Sequence, residues 1–298
     1  MSTLDHRQDF VLYFDVKDGN PNGDPDAGNM PRFDPETGQG LVTDVCIKRK
    51  VRNYVDAAKG GEEGYRIYVR DGSVLNREHM AAFKQTGIST KQVRNQLKPA
   101  DDNARDEVRR YMSERFFDIR AFGAVMSTEV DAGQIRGPVQ LTFGRSEHPV
   151  FARDLAITRM AVTNENDADK ERTIGRKHIV AYGLYRAHGF ISAPLAEKTG
   201  FSRSDLDLLW EALVSMFEHD RSAARGMMAT RALVVFDHGC KLGRARAHDL
   251  FARVKAELRD PTKPPRDFID YQLTLDSNEL RNVLTTVKLA AASGRATA

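Results

Sequence analysis

The residues best suited to chemistry lie between Asp18 and Arg52. Thr43-Asp-Val-Cys-Ile-Lys-Arg-Lys-Val-Arg52 places Lys48, Arg49, Lys50 and Arg52 within five positions. At about 100° per residue of helix, Lys48 and Arg52 share one flank of an apolar stripe, Arg49 falls just beyond them, and Lys50 takes the other flank. Two cations one turn apart on a core-anchored helix suit successive phosphates of a polyanion, although such a run can equally be a solvated face. Ahead of the helix, Asp18-Gly-Asn-Pro-Asn-Gly-Asp-Pro-Asp26 offers the amides of Asn20 and Asn22 and the carboxylates of Asp24 and Asp26, with Asp34 further on. Asp18, Asn20, Asn22 and Gly23 match the first half of a calcium loop. The position that must supply its bidentate Glu is Asn29, and Pro21 and Pro25 stiffen the segment, so a turn-rich clamp fits better than a calcium site.

Other chemistry is thinly represented. The eight histidines show no metal-ligand spacing, and His178 and His188 read as packed or surface residues rather than general bases. Cys46 sits inside the basic helix, where a half-buried structural thiol is the expectation. There is no P-loop, G-x-S-x-G or dinucleotide fingerprint, and no cofactor is expected.

The 298 residues are 41% hydrophobic, enough for one large core or two modest ones. Forty-five basic residues against 42 acidic give +3, which favours local basic stripes over a nonspecific polycation. Two cysteines, Cys46 and Cys240, cannot build a disulfide framework or a four-cysteine zinc site. No apolar run is long enough for a bilayer, and Met1 to Asp9 is too polar for a signal peptide. A cytoplasmic protein without membrane contact is expected.

The elements that must position these residues follow from periodicity. Phe10 to Val16 reads as a buried strand. In the helix behind Thr43, its N-cap, Ile47, Val51, Tyr54, Val55 and Ala58 form one stripe. Tyr65 to Val69 reads as a short strand, Asn76 to Phe117 as a charged helical insertion, and Phe116 to Met126 as packed apolar chain with Gly123 at a close approach. Residues 155–181 suggest a long hairpin whose tip, Asn164 to Arg172, is too polar to pack. Gly183 to Ile191 alternates as a strand. Ser202 and Asp205 open a helix with Leu206, Leu209, Trp210, Leu213 and Phe217 on its apolar face. Strands at Arg231–Phe236 and Tyr271–Asp276 follow. The order strand, helix, strand, insertion, strand, helix, strand is the β-α-β-β-α-β pattern of ferredoxin-like and RRM-like sheets, an α+β class used as an RNA platform.

Five segments carry a family resemblance: Phe10–Phe33 with its Asn-Pro-Asn-Gly-Asp-Pro loop, the Thr43–Arg52 helix, Phe122-Gly-Ala-Val-Met126, Gln134-Ile-Arg-Gly-Pro-Val139 and Tyr182-Gly-Leu-Tyr-Arg186. In this order, over roughly residues 9 to 290, they resemble the backbone subunit, of the RAMP superfamily, of type I Cascade, the CRISPR surveillance complex, in its type I-C form. The resemblance implies a single hand-shaped domain spanning 1–298. Its ferredoxin-like palm would occupy about 9–59, 118–150 and 182–290, its helical fingers about 60–117, and its β-hairpin thumb about 150–181. Copies would stack head to tail along one crRNA, beside other Cascade subunits, and display it for pairing with target DNA. No catalysis is implied. The alternative is an RNA-cleaving backbone subunit of type III kind, with a loop aspartate such as Asp24, Asp26 or Asp34. Carried onto this chain, RNA-binding residues would be Asn20, Asn22, Arg32, Thr43, Lys48, Arg49 and Arg52, then Phe122, Gly123 and Met126 under the bases with Arg136. The thumb contacts would be Ile157, Arg159, Met160 and Arg176. Val45 stands where relatives have a polar residue.

Overall fold

The computed structural model describes residues 4–162, 165–167, 173–276 and 283–290. Its centre is the strand Gln8–Gly19. Phe10, Leu12, Phe14 and Val16 point into one apolar layer while Val11 and Tyr13 point into the other, which is why the run is hydrophobic at every step. This strand pairs antiparallel with Thr173–Ile191 on one side and Met227–Asp237 on the other. Across the sheet the order is Leu284–Ala290, Met227–Asp237, Gln8–Gly19, Thr173–Ile191, Gly144–Pro149, Gln39–Val42.

The helices are α1 (Asp44–Lys59), α2 (Leu75–Thr86), α3 (Asp102–Arg115), α4 (Phe117–Phe122), α5 (Ala193–Thr199), α6 (Arg203–His219) and α7 (Ala247–Phe251). One sheet face is covered by α1 and α6, and Phe10 meets Trp210 edge-on at 5.1 Å. Both helices start where local chemistry directs. The Thr43 hydroxyl accepts from the Cys46 N–H, and Ser202 with Asp205 completes a capping box. The opposite face is closed by α7 and the hairpin Val254–Leu258/Tyr271–Leu275 through Leu250, Phe251, Val254, Phe268 and Tyr271.

The inserted region departs from its expected all-helical form. Between α2 and α3 runs a small hairpin, Thr90–Val93 with Gln96–Pro99, turned at Arg94 with φ 55°. Its first strand is exposed throughout, so no apolar alternation marked it. The expected strand at Tyr65–Val69 reduces to an isolated bridge between Arg66 and Phe116. Phe117–Phe122 is a short helix, and Gly123–Ser127 pairs with Asp131–Arg136. The insertion has its own core of Tyr68, Phe83, Val108, Met112 and Phe116, extended by Ile119, Met126 and Ala132. Two buried ionic joints tie it down. Asp118 accepts from Arg52 Nε at 2.8 Å and from the N–H groups of Tyr68 and Val69. Arg120 grips Asp205 with Nε at 2.9 Å and Nη2 at 2.7 Å, while its Nη1 reaches the carbonyls of Gly64, Ser113 and Glu114.

The expected hairpin is present. Ala152–Arg159 pairs residue for residue with Thr173–Val180, and the second arm continues unbroken to Ile191 in the sheet. Asp169, Lys170, Glu171 and Arg172 at its tip lie outside the described residues.

His188, on the sheet end of that strand, stacks on Phe251 at 4.3 Å. Burial, with Arg186 beside it, pushes its pKa down to about 4. The unfolded residue titrates near 6.5, so in between the unfolded chain binds a proton that the folded one refuses. Stability therefore falls as pH drops from about 6.5 towards 4. The ring is partly exposed, which limits the contribution to about 1–2 kcal/mol. His188→Phe keeps the stack and removes the titration, so urea midpoints measured from pH 7 down to 4 should decline less steeply than those of the parent. Equal slopes would assign the acid loss to other groups.

Candidate nucleic-acid interface

The turn-rich loop folds back onto the start of α1. Asn22 Oδ1 accepts from both the backbone N–H and the hydroxyl of Thr43, at 2.9 and 3.0 Å. Asn20 donates from Nδ2 to the Asn29 carbonyl at 2.8 Å, and its Oδ1 is buried without a hydrogen-bond partner. A third segment joins them from far along the chain. The Asn20 N–H donates to the Ala224 carbonyl at 2.8 Å, and a Cβ on Gly19 would lie 1.9 Å from the Arg225 carbonyl oxygen, so only glycine fits there.

These three segments enclose an open groove of about 610 Å³. Its walls include Asn20, Asn22, Arg32, Thr43 and Arg49, so five expected contact residues share one surface. Ser222 and Arg225 also line it, and their separation from the loop by some two hundred positions left no local signal. Val45, 63% exposed, is the apolar spot on this rim. Arg32 pairs with Asp24 at 3.2 Å, and Arg49 Nε donates to Asn53.

The rest of the basic helix differs from expectation. Lys48 is held by Asp44 at 2.8 Å and Arg52 by the buried Asp118, and both cations sit over the Phe122 ring, at 5.7 and 5.2 Å. Their flank is therefore a covered joint between α1 and the insertion, not an open pair of phosphate ligands. Lys50, expected on the other flank, is buried against Asp220. Of the α1 cations lining the groove, Arg49 is the exposed one.

The expected base platform is also corrected. Phe122 is buried beneath Lys48 and Arg52, and Met126 lies wholly inside the insertion core. Strand alternation is the reason: with Met126 turned inward, Val125 is the residue turned out, 69% exposed. Gly123 does mark a close approach, since a Cβ there would meet the Ile135 carbonyl oxygen at 2.3 Å and its φ is 78°. Arg136, its ladder partner, is exposed. On the hairpin, Ile157, Arg159, Met160 and Arg176 are all exposed, and Arg176 pairs with Asp154 at 2.8 Å.

Two of the three loop carboxylates are engaged, Asp24 by Arg32 and Asp34 by Arg145. Asp34 pairs with Arg145 at 3.1 Å, and the Glu36 N–H, then Arg145, hold its pKa below the usual carboxylate range. Among the described residues no group of three or more His, Cys, Asp or Glu side chains could hold a metal ion. The Cys46 thiol is pushed up by burial, as an inert structural cysteine would be.

The family model for CRISPR-associated protein Cas7 matches residues 6–276. The chain belongs to the Cas7 family. The Cas7 match spans the groove, the insertion and the hairpin, and leaves the Leu284–Ala290 edge strand outside. A CRISPR-associated protein Cas7 from Haloferax volcanii is 30% identical over 239 residues, covering 72% of this chain. The chain spans 65% of that relative's length. A chain of a solved "CRISPR RNA-guided surveillance complex, pre-nicking" shares the fold with a TM-score of 0.50 at 16% identity, covering 77% of this chain and 78% of its own. A chain of another CRISPR RNA-guided surveillance complex superposes with a TM-score of 0.46 at 13% identity, covering 77% and 68%.

Proposed function

We propose that this Cas7 protein is a non-catalytic crRNA-binding backbone subunit of a type I-C Cascade complex, and that its copies line one crRNA head to tail and hold it open to target DNA. The observation that carries this reading is the hairpin. Its Ala152–Arg159 arm is exposed almost throughout and displays Leu155 and Ile157, with Met160 just beyond, 72% exposed. A two-stranded ribbon with apolar side chains in water is marginal alone and is stabilised by something laid against it. The groove supplies the complementary half, with Arg32, Arg49 and Arg225 among its lining residues. The strand order Met227–Asp237, Gln8–Gly19, Thr173–Ile191, Gly144–Pro149, with α1 and α6 on one face, supports a ferredoxin-like palm carrying fingers and a thumb.

Among the described residues no helix is long and apolar enough to cross a membrane, and a cytoplasmic setting belongs to the same reading. The protein purified from its host should carry RNA, seen as a raised 260/280 nm absorbance ratio, and light scattering should show several copies per RNA. An RNA-free monomer that binds no added single-stranded RNA would sink the proposal. Incubated with Mg²⁺ and single-stranded RNA, the protein should leave it intact, and Asp34→Ala should change nothing. Cleavage that disappears in Asp34→Ala would replace this reading with an RNA-cleaving one.

A further inference from the structure

Beneath the groove, two cations meet on one carboxylate oxygen. Asp220 Oδ2 accepts from the Lys50 ammonium and forms an ion pair with Arg225, 2.7 Å from its Nε. Asp220 is the residue that closes α6, so the carboxylate is fixed to a rigid helix. Lys50, on α1, is 1% exposed and cannot reach a ligand, whereas Arg225 is one-third exposed and lines the groove. The loop carrying Arg225 is locked on both sides. A Cβ on Gly226 would lie 2.4 Å from the Asp18 carbonyl oxygen, and Gly19 closes against Arg225 itself.

The charges do not balance. Lys50 and Arg225 against Asp220 leave one positive charge in excess, and of the two cations the guanidinium is the one exposed in the groove. A carboxylate bound to Arg225 alone would cancel that charge. With Lys50 sharing the same oxygen, Asp220 can hold the guanidinium in place without neutralising the site. The ion pair is made on the Nε side, so Nη1 and Nη2 form the edge that can turn to a phosphate with two parallel hydrogen bonds. As a mere structural fastener, a buried ion pair is poorly justified, because apolar residues of similar volume hold a core as well or better.

We propose that Arg225 contacts a phosphate of the bound RNA and that Lys50 and Asp220 are positioning residues that hold its guanidinium at the groove. The inference rests on the RNA-binding reading above and deepens it. The probe is a fluorescently labelled oligouridylate, titrated with the full chain by anisotropy at several salt concentrations. Arg225→Ala should bind about tenfold or more weakly, with the log–log salt slope reduced by about 0.7. Lys50→Met/Asp220→Leu should melt near the parent temperature and keep the salt slope, because Arg225 remains, yet bind several-fold more weakly because the guanidinium is no longer held.

Arg225→Lys provides the control should the double variant fail to fold. It retains the charge and hence the slope, and it should lose affinity because an ammonium offers neither the Nε grip nor a bidentate edge. Parental affinity and slope in Arg225→Ala would overturn the contact. Parental affinity in the folded double variant, or in Arg225→Lys, would overturn the positioning. A parent chain with no affinity for the probe would remove the RNA-binding reading and this inference together, whereas failure of the variants alone leaves that reading standing.

Discussion

Arg120→Met should cost about 3–5 kcal/mol, a large part of the 5–15 kcal/mol that holds a typical domain together. Arg120 and Asp205 are both buried and meet through two parallel bonds, and Arg120 Nη1 also serves three backbone carbonyls near the ends of the insertion. Truncation leaves the Asp205 charge without its partner in the interior and strips those carbonyls of a donor. Asp205 cannot retreat, because its carboxylate also accepts from the Ser202 N–H at the start of α6. The damage should therefore reach from the insertion into the helix under the main sheet. Urea unfolding followed by circular dichroism gives the cost directly. Arg120→Met/Asp205→Asn should recover a good part of it, since the amide removes the stranded charge and can still cap. A single variant with the parental midpoint would show that this joint is not what fastens the insertion.

The second large effect concerns assembly. Replacing residues 160–175 with a short Gly-Ser turn should leave a folded monomer that no longer builds arrays on RNA. Among the described residues, the buried part of the sheet lies outside the replaced stretch. Tyr182, Leu184, Tyr185 and Ala187, on the retained part of the long strand, are buried in the two core layers, whereas the Ala152–Arg159 arm is solvent-facing. Thermal unfolding should thus stay near the parental value. A head-to-tail contact needs both of its surfaces, and removing one ends propagation instead of weakening it slightly. Light scattering of the RNA-bound species should show the mass fall to one copy. Full-length arrays from the shortened chain would mean that another surface makes the contact between copies.

The parts of this fold that were legible in the sequence are those written in local patterns. Phe10–Val16 is apolar at every step because both its faces are covered, and Thr43 and Ser202 cap helices with bonds that span only three residues. The Thr90–Val93 strand carried no such pattern, since none of its side chains is buried, and the Leu284–Ala290 edge strand shows most of its described side chains to solvent. The site divides in the same way. Asn20, Asn22, Thr43 and Arg49 lie on one short stretch, and their convergence follows from its turns. Lys48 meets its carboxylate, Asp44, one turn back on the same helix, but the fate of Lys50 and Arg52 was decided elsewhere. Asp118 and Asp220 are 66 and 170 positions away from their partners, and helical spacing says nothing of a carboxylate arriving from another element. Arg225 was hidden for the same reason. Met126 shows the finer limit, because a motif names the strand but one position of alternation decides which side chain faces out.

The strand that forms one arm of the hairpin is also a central strand of the sheet. Nineteen residues at about 3.3 Å each make a rod of roughly 60 Å, with no loop or hinge between its exposed and buried portions. Mechanically this is a cantilever. Its root is clamped by Gln8–Gly19 along one side and by Gly144–Pro149 on the other. A sideways push on the free end has no joint in which to dissipate and arrives as torsion in the middle of the sheet, beneath α1 and the groove it lines. A filament of such subunits would flex as a stack of leaf springs, each bend in the assembly felt as twist at the neighbouring binding surface.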